Sequence, residues 1–256
     1  MKNNNIGRRV VCWFSCGVTS AVAAKLAIQK YIDTYPIEVV FIDTGSEHED
    51  NFRFMFDIAA WLQVDIKTIR DERYKNTLDV YRKDKYLVGS VGARCSLVLK
   101  KRVRQKYENL GIDLQIFGYG AEEQNRADRF AENNPLVNCE FPLIDKRLTK
   151  KDCHAILASV GIARPITYNL GFNNANCLNT GCVKGGMGYW NHYRRHFPVQ
   201  FQEMAKVERE LGVSILREGS GKNSSSVYLD ELEPSRGRHD TEPPIQCGLF
   251  CGNEIL

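Results

Sequence analysis

The sequence predicts a doubly wound, mostly parallel α/β sheet with a cysteine-rich C-terminal extension, and three observations predict it. Over the first 165 residues, short apolar runs alternate with longer amphipathic stretches of helical period. Such alternation builds βαβ units, whose parallel strands are covered by helices on both faces. The pattern then breaks, because residues 169–188 (NLGFNNANCLNTGCVKGGMG) are rich in Asn, Gly and Cys and follow neither period. Finally, 256 residues with 43% hydrophobic and 26% charged content suit one large globular domain or a core with an appendage. That composition excludes disordered, collagen-like and coiled-coil chains.

The elements follow in order. Residues 9–15 (RVVCWFS) read as a buried strand and residues 20–31 as a helix with its Ala/Leu/Ile face inward. A strand at 37–43, a helix at 50–62 and a third strand at 64–69 continue the pattern. Residues 94–110 form a basic helix stopped by Gly111, and 113–118 a fourth strand. A helix spans 148–160, with Thr149 as N-cap and Gly161 as stop. Beyond Pro165 come an irregular segment, a helix at 198–211, a loop at 219–226, a Pro- and Arg-containing linker at 234–246 and the tail CGLFCGNEIL. The division expected is a nucleotide-binding core over 1–165, then a Cys-containing loop, helices and a metal-tied tail over 166–256. Ligands of such sheets gather at the carboxyl ends of the strands.

Charge and cysteine bound the function. The net charge of +4 permits a nucleic-acid or nucleotide partner. Nine cysteines in a chain this long do not suit a secreted disulfide scaffold. The N-terminus has no apolar signal region, and no stretch approaches the ~20 apolar residues that span a bilayer. A cytoplasmic protein is expected, whose clustered cysteines serve metal or redox chemistry.

The first strand ends in Ser15-Cys16-Gly17-Val18-Thr19-Ser20, where the helix begins. A small-residue loop there offers backbone N–H groups and a positive dipole end to an anion, and the same residues also suit a tight, capped βα turn. Gly221-Lys222 does not complete a G-x-x-x-x-G-K-[ST] loop, and Gly118-Tyr119-Gly120 does not complete a Rossmann fingerprint.

The stretch WFSCGVTSAVAAKLA resembles the PP-loop, S-G-G-x-D-S, of the adenine nucleotide alpha-hydrolase superfamily. That superfamily includes N-type ATP pyrophosphatases, ATP sulfurylase and PAPS reductase. Cys16 replaces the first Gly, and Thr19 replaces the Asp that helps the pyrophosphatases hold Mg²⁺, a departure that bears on metal placement and hydrolysis. Phe41-Ile42-Asp43-Thr44-Gly45, leading to Glu47, resembles the V-D-T-G segment of PAPS reductases. Gly118 through Glu122 and Glu123, followed by Arg126 and Arg129, resembles the family's strand-end glycine, acidic residue and arginine. Gly92-Ala93-Arg94-Cys95, then Lys100, Lys101, Arg102 and Arg104, resembles the basic segment after the third strand.

Cys177 and Cys182 form one close pair in the irregular segment, and Cys247 and Cys251 another in the tail. Two pairs on irregular backbone suit tetrahedral thiolate coordination of zinc or a [4Fe–4S] cluster, and equally two unrelated loops. Cys12, Cys139 and Cys153 are expected in the core. Cys95 opens the basic helix, where the dipole and Arg94 favour thiolate, so it is either a ligand replacing one of the four or a sulfur-carrying nucleophile. Cys16 is a loop-shaping residue first and a reactive thiol second.

Asn176-Cys177 through Cys182 to Trp190 resembles a signature of the ATP pyrophosphatase component of Dnd- and Ssp-type DNA phosphorothioation systems. This implies ATP and Mg²⁺ as cofactors with an iron–sulfur cluster, and as partners a cysteine desulfurase, other phosphorothioation subunits and DNA. The site it implies has Ser20, Lys184, Arg126 and Cys95 as catalytic residues. Ser15 to Ser20, Asp43, Thr44, Gly45, Gly118, Glu122 and Glu123 would hold the nucleotide, and Cys177, Cys182, Cys247 and Cys251 the metal. The stretch from Trp190 to Phe197 is aromatic and basic, fitting helix packing with a charged outer face or a nucleic-acid contact. An alternative is a PAPS or APS reductase, because Gln246-Cys247-Gly248-Leu249 resembles the E-C-G-L-H ending of those enzymes, with Phe250 in place of His. A third reading, from Thr19, is a non-hydrolysing nucleotide-binding regulatory subunit.

Overall fold

The computed structural model describes residues 8–89, 92–219 and 223–245. The chain opens with β1 (Arg9–Phe14), α1 (Val18–Tyr31), β2 (Ile37–Ile42), α2 (Asp50–Leu62) and β3 (Ile66–Ile69). It continues through α3 (Thr77–Asp84) and the short antiparallel strands β4 (Val88–Gly89) and β5 (Gly92–Ala93). Next come α4 (Arg94–Ser96), a π-helical turn (Leu97–Lys101), α5 (Arg102–Tyr107) and β6 (Asp113–Ile116). A 3₁₀ turn (Ala121–Glu123) leads to α6 (Gln124–Asn133), β7 (Cys139–Glu140), α7 (Pro142–Asp145), α8 (Lys150–Ser159) and α9 (Ile166–Asn169). Beyond the irregular segment lie α10 (Met187–His196), α11 (Pro198–Leu211) and the hairpin β8 (Leu216–Glu218) and β9 (Ser225–Val227).

The sheet is parallel throughout, in the order β3-β2-β1-β6-β7. β1 is its centre, with Cys12 opposite both Val39 and Ile116. Its residues are buried on both faces, as the unbroken apolar run requires. Val10, Cys12 and Phe14 join a core with α1, α2 and α8. Val11 and Trp13 join another with Val103, Phe117 and Phe130. The doubly wound α/β fold expected from the sequence is the fold observed. The chain runs from β1 outward through β2 and β3, then returns to add β6 and β7 on the other side. The loops after β1 and β6 therefore diverge, and that switch point opens a crevice at the carboxyl ends.

A third core lies away from the sheet, where α3 and the π turn pack against α10, α11 and the hairpin around Trp190 and Tyr193. The expected basic helix over 94–110 is interrupted by the π turn and stops at Tyr107. Thr149 does cap α8, its hydroxyl accepting from Asp152 N while the Asp152 carboxylate accepts from Thr149 N. The expected loop at 219–226 ends in strand, because residues 225–227 pair with β8. Cys12 and Cys153 are core residues as expected, and Cys139 is half-buried on the edge strand. No helix among the described residues is long and apolar enough to cross a membrane.

Candidate nucleotide and thiol sites

At the end of β1 the chain turns through Cys16, which is buried at a left-handed φ of 55°, and enters α1 with extended Gly17 as N-cap. Burial pushes the Cys16 thiol well up, helped by the Glu47 charge, so Cys16 shapes the loop as a neutral group. Ser20 braces the loop from inside: its Oγ donates to the Gly17 carbonyl at 2.9 Å and accepts from Ser15 N at 3.1 Å. Gly118, after β6, touches the same place, since a Cβ there would lie 2.5 Å from Ser20 Cα. Val18 contributes only backbone, its side chain being core.

Ser15, Gly17, Thr19, Ser20 and Gly118 line a cavity of about 380 Å³ at the switch point. Three cations reach it from separate elements. Arg126 on α6 pairs with Glu123 at 2.6 Å and lies over the Tyr119 ring. Lys150, first residue of α8, lies over the Tyr168 ring and donates to the Asn173 carbonyl, and burial lowers its pKa. Lys100 comes from the π turn, a helical irregularity that recurs at functional sites.

The carboxylates divide. Glu122, Glu123 and Glu47 line the cavity. Glu122 accepts from Lys150 N at 3.0 Å, and Glu123 from Gly120 N at 3.1 Å. Glu47 is buried and accepts from Thr44 Oγ1 and Asn51 Nδ2 at 3.0 and 3.1 Å. Desolvation pushes its pKa up, opposed by Lys100. Asp43 is placed elsewhere: it accepts from Gly45 N at 2.7 Å and pairs with Arg70 at 3.2 Å. Gly45, at φ 67°, serves this turn by letting the chain pass the Lys75 carbonyl, which a Cβ would strike. Arg129 is exposed and donates to its own helix at Asn125.

A second, smaller cavity adjoins the first. Cys95, Cys177 and Cys182 line it with Thr44, Tyr81 and the lysines 100 and 184. Tyr81 reads all three thiols: its hydroxyl donates to Cys95 Sγ at 3.1 Å, and burial together with Cys95, Cys182 and Cys177 pushes its own pKa well up. Thr44 Oγ1 lies 3.7 Å from Cys177 Sγ. The thiol loop is fastened on both sides. Asn179 N donates to the Ser46 carbonyl, and Thr180 meets Thr77 at 2.8 Å. Gly181, at φ 75°, packs against the Trp190 ring, and Tyr193 donates to the Leu178 carbonyl.

Several expected placements are corrected. Lys184 lines the thiol cavity rather than the loop cavity. Arg94, expected to favour a Cys95 thiolate, ion-pairs with Asp84 at 2.6 Å. Thr44 belongs to the boundary between the cavities. Cys177 and Cys182 are joined by Cys95, while Cys247 and Cys251 lie outside the described residues. Among the described residues no three His, Cys, Asp or Glu side chains converge on a single metal ion, and the three thiols instead surround a cavity, a soft donor set of the kind iron–sulfur clusters use. Trp190 and Tyr193 are fully buried, so the aromatic side of this stretch is helix packing, with Arg195 and His196 on the exposed side. Lys150, Tyr168 and the Asn173–Asn176 wall escaped the sequence reading.

A parallel sheet with a small-residue loop at its switch point defines a class of α/β proteins that bind anionic ligands at strand ends. Within that class, the phosphoadenosine phosphosulfate reductase domain matches residues 9–138, just over half of the chain, and the chain belongs to this family. No curated protein matches the sequence. Among solved structures, phosphoadenylyl-sulfate (PAPS) reductase from Candida auris in its phosphate complex is similar at 16% identity and a TM-score of 0.45. The match covers 65% of this chain and 80% of that one. The U34-tRNA thiolase NcsA from Methanococcus maripaludis, with its [4Fe-4S] cluster, is similar at 13% identity and a TM-score of 0.43, covering 80% and 73%.

Proposed function

We propose that this chain is a nucleotide-dependent sulfur-transfer enzyme, an ATP pyrophosphatase that adenylates an acceptor and replaces the adenylate with sulfur. The observation that carries it is the shared wall: Lys100 lines both cavities, and Thr44 touches Cys177 on one side and Glu47 on the other. A thiol site one side chain from an anion-binding loop suits chemistry in which sulfur meets an activated phosphate.

In this reading the amides and hydroxyls of Ser15 to Ser20 hold the triphosphate, with Arg126, Lys100 and Lys150 neutralising charge as pyrophosphate leaves. Glu122, Glu123 and Glu47 are the hard oxygen donors beside the loop where Mg²⁺ would sit, adding Lewis-acid stabilisation when bound. Cys95, Cys177 and Cys182, with Cys247 or Cys251 from the tail, would hold a [4Fe–4S] cluster, which would supply a sulfur-binding iron. The acceptor in this reading is a DNA backbone phosphate, a cysteine desulfurase supplies the sulfur, the remaining phosphorothioation subunits are partners, and the compartment is the cytoplasm.

The test is pyrophosphate release from ATP, with DNA and a persulfide donor present, by the wild type and by Ser20→Ala. Release that depends on Ser20 supports the proposal, and its absence from both proteins overturns it. The family match favours a second reading, reduction of an activated sulfate, which predicts sulfite from PAPS with thioredoxin as reductant. Nucleotide binding without either product would leave the regulatory subunit.

A further inference from the structure

Three of the five histidines of the chain meet outside both cavities. His192 and His196 lie on α10, and His239 in a 3₁₀ turn (His239–Thr241) of the strap, residues 237–245, that crosses it. The rings of His192 and His239 stack with centroids 4.3 Å apart and planes 12° from parallel, and His196 stands edge-on to His192 at 4.8 Å. Each stacked ring faces a backbone carbonyl through Nε2, His192 to Leu170 at 2.7 Å and His239 to Gly171 at 3.2 Å. A carbonyl only accepts, so both Nε2 atoms carry the proton and the neutral rings leave Nδ1 bare. The His239 Nδ1 is buried with no hydrogen-bond partner, where a second proton would have nothing to bond to.

The strap is held at two further points. Glu242 accepts from Gly188 N at 2.6 Å and Tyr189 N at 2.9 Å, filling the first turn of α10. Gly237, at φ 72°, and Gly188 bring the two backbones into contact, where a Cβ on either would clash. Past these points, Pro244 and Ile245 form part of the wall of the loop cavity. The grip on α10 thus decides whether that wall stands.

We propose that the His192–His239 stack is a proton-sensitive latch that holds the strap closed over the loop cavity. Protonating both rings places two positive charges face to face, beside His196 and Arg195 on α10. Desolvation, His239, His196 and Arg195 all lower the His192 pKa, while the Leu170 carbonyl opposes them. On the strap, the carboxylate next to His239 in sequence is Asp240, which is exposed and paired with Arg238 at 2.9 Å. Glu242 is committed to α10 backbone. A group whose pKa is lower in the closed state binds protons better when open, so acidification opens the strap. The open fraction therefore grows as pH falls through the imidazole range.

The experiment is limited trypsin cleavage of the full chain at Arg236 and Arg238, from pH of about 8 to about 5.5, where imidazole changes charge. Rates are normalised at each pH to an unfolded substrate. Wild type is expected to cleave up to about tenfold faster at the acid end, whereas His192→Phe, which keeps a stacking ring, gives a flat profile. Glu242→Gln is expected to raise cleavage at every pH and keep the slope. A flat wild type, or an unchanged slope in His192→Phe, overturns the latch. The consequence for ligand rests on the nucleotide reading: α,β-methylene-ATP should bind more weakly at acid pH in wild type and evenly in His192→Phe. Failure of that analogue to bind at any pH counts against the proposed function, while the cleavage profile still decides the latch.

Discussion

Around the loop cavity, binding groups stand at the ends of regular elements: the β1 and β6 termini, the first turn of α1, the first residue of α8 and the side of α6. Around the thiol cavity, two of the three sulfurs ride on a loop without regular structure, kept in place by buried aromatic rings and a few hydroxyl and backbone bonds. The first site inherits its shape from the sheet, whereas the second depends on the third core and takes two of its three sulfurs from beyond the family-matched residues. Damage to either support should therefore show up differently in the two sites.

The largest effect is expected from Trp190→Ala. The indole is fully buried and is the surface on which Gly181 and the thiol loop rest. Truncation should cost about 3–5 kcal/mol, read as a fall in the urea midpoint. In the fraction that remains folded, reaction of Cys177 and Cys182 with a thiol reagent should accelerate while nucleotide affinity changes little. Equal loss at both sites would break the distinction.

Next is pH, acting on the same C-terminal support. Glu208 is fully buried at the end of α11, accepting from Ile215 N at 2.5 Å and Leu229 N at 2.6 Å, and so ties the hairpin to the helix. Desolvation pushes its pKa up to about 7, with those two bonds opposing, against an ordinary value of 4.5. The folded chain thus holds this proton more tightly than the unfolded chain. Its contribution is fully present below the unfolded value and is lost as pH rises through about 7, by up to about 3 kcal/mol. Urea midpoints of Glu208→Gln should lack this slope, though the amide has only one oxygen for two donors. A wild type whose Glu208-dependent stability does not fall between those values contradicts the assignment.

Gly118→Ala tests the loop cavity from the other side. The added Cβ would meet Ser20 N and Cα, backbone atoms that cannot rotate away. Overpacking of this kind costs about 1–3 kcal/mol. Here the nucleotide site should suffer first, through the displaced start of α1, while thiol reactivity stays near wild type. The measurement is calorimetric nucleotide binding beside thermal unfolding.

The same contrast explains what could be read from the chain alone. β1 and β2 are short runs of mostly apolar residues, β6 (DLQI) is a short strand buried along its length, and α1 is a small-residue helix, so the sheet and the Ser15–Ser20 loop follow largely from local pattern. α6 was missed because only Ala127 and Phe130 of its ten residues are buried, leaving no apolar stripe to see. Lys150 was hidden because a lysine after an N-cap looks like any solvated first-turn residue, and only the packing of α8 on α1 turns it inward. Cys95 joins Cys177 and Cys182 through tertiary folding, which no spacing encodes. That Lys184 lines the thiol cavity was illegible for the same reason, since a loop position carries no direction.

The smallest effect expected is at Thr149, one residue before Lys150. Its hydroxyl and the Asp152 carboxylate close a reciprocal cap on α8. Thr149→Ala should cost about 1 kcal/mol of stability, as loss of such a cap does. It should also disturb nucleotide binding by more than its stability cost implies, because the frayed turn carries Lys150 and the backbone N–H that holds Glu122. Thr149→Ser, which keeps the hydroxyl, should restore both. If Thr149→Ala lowers the melting temperature yet leaves nucleotide affinity at the wild-type value, the first turn of α8 is scaffold, and the loop cavity owes less to element ends than the comparison with the thiol site requires.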